Sequence, residues 1–123
     1  VTESLLLFRQ VHPAFVQNGH VLYPAFRPTK KDEKRLSVSD GTKITPQAVW
    51  ERFTVTLGYH SCGVLGVTKL ECETCNLSVD EAPVEGQPDH MVIDFTPLSS
   101  KGDIDRAAKR LCQVCNQPGL VVS

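Results

Sequence analysis

The stretch from Ser100 to Cys115 constrains the fold more than any other part of the chain. Ser100 and Asp103 have the spacing of a capping box, the signature of a helix start. Behind them Ile104, Ala107, Ala108, Leu111, Cys112 and Cys115 recur at three- and four-residue intervals and share one helical stripe. Gly119 marks the expected stop, and the following "LVV" reads as a closing strand. A helix with a single apolar stripe gains its stability from packing, so another apolar surface has to cover it.

Short strand-like runs provide that surface. "SLLLFRQV" is apolar and compatible with a strand, and it ends where Pro13 biases His12 away from helix. "QNGHVLYPAF" places the turn dipeptide Asn18-Gly19 before a second strand, which Pro24 would confine to an edge. "RLSVSDGTKI" is a third strand running into an Asp40-Gly41 turn. "CGVLGVTKL" is a fourth, and in "HMVIDF" strict alternation puts Met91, Ile93 and Phe95 on one face and His90, Val92 and Asp94 on the other.

Two further helices interrupt these strands. Thr45-Pro46 is an N-cap followed by proline at the first helical position, and Val49, Phe53 and Leu57, with Trp50 beside them, predict a core-facing side that ends at Gly58. Thr68 and Glu71 make a second capping box for a short helix carrying "ECETCNL". An acidic, proline-containing loop is expected from Asp80 to Asp89. The sum is a single α+β domain over residues 1–123, a mixed or largely antiparallel sheet packed against two or three helices.

The same helices carry the chain's most conspicuous chemistry. "CETCN" and "CQVCN" hold two Cys-x-x-Cys pairs, and four thiolates are a ligand set for structural zinc. Thirty-six residues separate the pairs, more than the roughly fifteen to twenty of a common zinc ribbon. Cys112 and Cys115 continue an apolar stripe, as core cysteines do. Cys72 and Cys75 fall opposite Leu70, Thr74 and Leu77, which places them off the expected buried side. Glu71 and Glu73 flank Cys72 and oppose a thiolate, disfavouring a redox role, but would attract a divalent ion. Structural zinc on Cys72, Cys75, Cys112 and Cys115 is therefore one expectation, with His60 and Cys62 as spare ligands, and buried thiols are its competitor. A zinc deaminase would need H-x-E and P-C-x-x-C, and neither occurs.

A second set of candidates lies in the first third of the chain. Arg9, His12, Arg27 and Asp32 crowd strand ends and loops, near His20, Ser37 and Asp40, where binding groups tend to sit. These four form a candidate anion or nucleotide site. The competing reading makes them surface charges, with His12 capping a turn. No G-x-S-x-G, phosphate-binding glycine loop or H-E-x-x-H is present, so the sequence leaves open whether the protein is an enzyme.

Charge distribution bears on partners. The net charge of −1 gives no bulk attraction to nucleic acid or anionic lipid. Residues 27–35 carry five basic groups and two acidic ones, whereas 71–94 carry seven acidic groups and no Lys or Arg. No apolar run reaches the roughly eighteen residues of a membrane span, and an odd count of five cysteines favours reduced thiols. The expectation is a cytoplasmic protein with no membrane contact.

The segments "FRQVHPAFVQNG", "AFRPTKKDEKRLSVSDG" and "ITPQAVWERF" resemble small bacterial proteins with an HPxF, AFRP, LSV progression and no established activity. The resemblance transfers no functional residue, implies no dependence on paired cysteines, and draws attention to the N-terminal half. Three functions follow as expectations. The leading one is a small accessory protein acting through contacts with another protein. The second is an enzyme or anion binder built on Arg9, His12, Arg27 and Asp32. The third, not favoured because no aromatics interleave the basic cluster, is a zinc-ribbon-like nucleic-acid binder.

Overall fold

The structure is a computed structural model that describes residues 5–18, 20–28, 34–98, 100–117 and 120. Among these residues seven strands and three α-helices run in the order β1 (Leu6–Val11), β2 (Val16–Gln17), β3 (His20–Val21), β4 (Arg35–Asp40), α1 (Pro46–Glu51), β5 (Gly63–Thr68), α2 (Lys69–Thr74), β6 (Ser78–Glu81), β7 (His90–Asp94) and α3 (Lys101–Cys115). Five strands form one antiparallel sheet in the order β5-β1-β4-β7-β6, while β2 and β3 pair separately. The α+β expectation is met, with the sheet antiparallel throughout. No helix among the described residues is long and apolar enough to cross a membrane.

Alternation along the strands sends their side chains to two different layers. Leu7 and Val11 of β1, Leu36 and Val38 of β4, and Met91 and Ile93 of β7 join the main core under α3 and α2. Phe8 of β1 and Val64 of β5 point the other way and meet Val49 of α1. Three caps read from sequence are made. Thr45 Oγ1 accepts from Ala48 N at 3.1 Å, Ser100 Oγ from Asp103 N at 3.1 Å, and Thr68 and Glu71 complete a reciprocal capping box.

Several local expectations change. The run around Pro24 is a 3-10 turn, Tyr23–Phe26, and the strand before it shrinks to His20–Val21 outside the main sheet. Pro24 has no amide hydrogen for a ladder and its fixed φ suits the turn. The acidic segment begins as a strand, because Ser78–Glu81 pairs with β7 and buries Val79. In α2 the phase is reversed: Cys72 is fully buried and Cys75 half-buried, whereas Leu70 is 59% exposed. A helix of six residues is too short for its apolar spacing to define a face, and the strands at its two ends set its rotation. Asp32, Gly119 and the expected closing strand beyond Leu120 lie outside the described residues.

The largest change is in the helix after Thr45. It is α-helical only to Glu51, then widens into a π turn over Arg52–Thr56. Thr54 Oγ1 donates to the Trp50 carbonyl at 2.8 Å, the acceptor its own amide would use in an α-helix, and Leu57 N bonds Arg52 O at 3.0 Å. The β-branched run Thr54-Val55-Thr56 is itself a weak helix former. Only Val49 of the expected core side is buried; Phe53 is half-buried and Leu57 exposed.

Candidate functional site

The main sheet is two ribbons joined along a short seam. β1 pairs with β5 over its full length and β4 pairs with β7 from Arg35 to Ser39, but β1 meets β4 only at Leu7–Asp40 and Phe8–Ser39. Beyond Phe8 the ribbons part. Arg9 stands where they separate, its Nε donating to Ala25 O at 3.0 Å and its Nη1 to Ser37 O at 2.9 Å. A carbonyl that would otherwise lose its ladder partner is thereby satisfied by a guanidinium.

Above this parting lies a cleft of about 360 Å³ between the sheet and the α1 side. Gln10 holds the cover in place, donating from Nε2 to Val49 O at 3.0 Å while Ser61 Oγ donates to its Oε1 at 2.7 Å. Phe8 and Val49 contribute apolar surface. Phe53 and Tyr59, with ring centroids 5.1 Å apart, form an aromatic wall. Among the described residues the polar lining consists of Arg9, Arg52, His12, His60 and His90 with Ser37, Ser39 and two glutamines, and it includes no Asp or Glu.

Arg52 is fixed from below the rim. Its Nη1 and Nη2 donate to Asp89 Oδ1 and Oδ2 at 2.8 and 2.9 Å, a bidentate pair in which Asp89 is almost fully buried. Those hydrogen bonds hold the Asp89 carboxyl below the usual range against the opposing effect of burial, and the same bonds raise Arg52. The pair locks the π turn to the 82–89 loop, so this wall of the cleft is braced rather than free to swing.

Of the four N-terminal candidates, the structure brings Arg9 and His12 to the cleft. His12 also caps the 3-10 turn Pro13–Phe15, its Nδ1 accepting from Ala14 N at 3.0 Å, so the turn-capping reading is met. Arg27 is elsewhere: its Nε lies 3.1 Å from Asp105 Oδ1 of α3, on the opposite face. The sequence reading missed Arg52, Tyr59 and His90 as cleft residues. His90 shares a strand face with half-buried Val92 and stands opposite Ser39; a histidine on a polar strand face beside a serine-bearing strand was the available signal.

Among the described residues the four cysteines are not gathered as a metal site. Cys112 Sγ donates to Val21 O at 2.9 Å and Cys115 Sγ to Gly66 O at 3.2 Å, which requires both sulfurs to keep their hydrogens. Burial pushes the Cys72 thiol up to about 12 and also raises that of Cys115. Among the described residues no group of three or more His, Cys, Asp or Glu side chains is arranged to hold a metal ion. His60 and Cys62 lie in the segment leading to β5, with His60 on the cleft lining. Compared with known proteins, the chain matches no family model, no curated protein and no solved structure.

Proposed function

We propose that this protein binds a small amphipathic anion in the cleft at the parting of the sheet. One observation carries the reading: among the described residues the lining combines two arginines and three histidines with aromatic surface and contains no carboxylate residue. Guanidinium groups favour carboxylates and phosphates through charge-assisted hydrogen bonds. The aromatic wall suits an apolar body, and the volume falls at the small end of the roughly 300–1,000 Å³ typical of ligand pockets. A compartment that keeps thiols reduced, the cytoplasm, belongs to the same proposal and is supported by five unpaired cysteines.

Melting curves in benzoate and in inorganic phosphate, each against chloride at equal ionic strength, test it. The expected result is a rise in midpoint with benzoate, and a loss of affinity of roughly ten-fold or more in Arg9→Met. No stabilisation and no chemical-shift change at Phe53, Tyr59 or His90 would sink the proposal.

A protein-docking role has a separate support in the rim. Val55, 80% exposed, lies beside the exposed Leu57 and Tyr59 on the π turn and the residues after it. A partner cross-linked by the wild-type protein and lost in Val55→Asp, with benzoate binding intact, would favour this role.

A further inference from the structure

We infer that two histidines give the cleft a fixed hydrogen-bond direction, His12 donating and His90 accepting, so that it takes an apolar acid carrying a hydroxyl donor. This rests on the proposed binding of an anion in the cleft and specifies its chemical class.

The argument starts from what each ring already contacts. Ala14 N is an amide and can only donate, so His12 Nδ1, 3.0 Å away, must hold a lone pair. In the neutral ring the proton is then on Nε2, leaving a donor for the cleft. Ala82 O is a carbonyl and can only accept. His90 Nδ1, 2.7 Å from it, therefore carries the proton, and Nε2 is left as an acceptor.

Backbone structure holds both arrangements. His12 is the N-cap of the turn opened by Pro13, with extended backbone at φ −69° and ψ 141°. His90 is tied to Ala82 twice, since Ala82 N also donates to His90 O at 3.0 Å, and His90 N bonds Gln87 O at 3.2 Å. One ring comes from the β1 end and the other from β7, on the two sides of the parted sheet. Arg9 stands between the ribbons with His12 near it in sequence, so the anionic end of a ligand belongs at the β1 side. The aromatic wall of Phe53 and Tyr59 takes its body. A hydroxyl on that body then has His90 Nε2 as its acceptor.

The test has two arms on the full chain. Ring nitrogen NMR of the ligand-free protein, with imidazoles neutral, should show His12 protonated on Nε2 and His90 on Nδ1. Titration with benzoate and with 3- and 4-hydroxybenzoate should show at least one hydroxybenzoate binding about five-fold tighter than benzoate, the weight of one net hydrogen bond. His90→Asn keeps an amide donor for Ala82 O and removes Nε2; it should bring the affinity for the preferred hydroxybenzoate down to that for benzoate, abolishing the preference. His12→Asn keeps an acceptor for the Ala14 cap and removes the donor; it should weaken all three acids alike. A His90 ring protonated on Nε2, equal affinity for all three acids, or a uniform loss in His90→Asn overturns the inference while leaving anion binding standing. Binding of none of the three overturns the anion reading and this ligand class with it.

Discussion

The two faces of the five-stranded sheet are built from the same strands, residue by residue in alternation, yet one is a core and the other a cleft. On the α3 side Leu7, Leu36, Leu65 and Ile93 are fully buried, and even the thiols of Cys112 and Cys115 are bonded to carbonyls. On the α1 side the buried apolar cluster among the described residues is Phe8, Val49 and Val64, with Ile44 and Trp50 only partly buried against it. Cover length explains the difference. α3 has fifteen residues and reaches about 22 Å, whereas α1 has six and reaches about 9 Å before the π turn diverts the chain. The cleft lies where the sheet has parted and its cover is too short to close over it.

The contrast can be broken most directly through stability. Leu111→Ala, on the packed face, should cost about 3 kcal/mol, and Phe53→Ala, on the cleft wall, about 1 kcal/mol despite removing more carbon. Urea unfolding of the two variants measures this, and equal losses would mean that the cleft side is a second core. Next in size is the brace. Asp89→Asn leaves the Arg52 guanidinium without its carboxylate and should cost about 2 kcal/mol. It also carries a pH signature. Because the folded-state value of Asp89 is depressed, its stabilisation is present above the unfolded value of about 3.9 and is lost as pH falls through the folded one. Wild-type stability should therefore drop more steeply than that of Asp89→Asn below about pH 4.

The same contrast separates what could be read in sequence from what could not. α3 was legible because fifteen residues sample its stripe several times and Ser100 marks its start. The caps at Thr45 and Thr68 were legible because capping is a local bond between fixed positions. The phase of α2 was not, since six residues leave it to the strands at either end, and Leu70 and Cys72 exchanged places. Nor was the π turn, which depends on the Thr54 hydroxyl taking a carbonyl from the helix ladder. For the site, Arg9 and His12 stood out as polar groups around a strand end. Arg52 and His90 become their neighbours only through strand pairing across the sheet and the bond to Asp89, and Arg27 leaves the group because Asp105 meets it on the other side. Local chemistry shows in the sequence; where two ribbons separate does not.

The smallest effect expected concerns the packed face and its cysteines. A thiol whose folded value is raised contributes stability that is present below its unfolded value, near 8.5, and is lost as pH climbs toward the folded one. For Cys72, pushed up to about 12 chiefly by burial, that window runs from about pH 8.5 to about 12. Unfolding free energy should fall gradually as pH is raised from 8 to 10, and less so in Cys72→Ala after allowance for its lost packing. The cleft brace is silent in this range, so the alkaline slope reports on the α3 side alone. Chelation provides the matching control. A structural zinc contributes on the order of 10 kcal/mol, so stripping it would unfold the domain, whereas thiols that donate to Val21 O and Gly66 O should leave the melting temperature unchanged in excess EDTA. A chelator-induced collapse would show that Cys72, Cys75, Cys112 and Cys115 are metal ligands and that this face, too, is organised around a site.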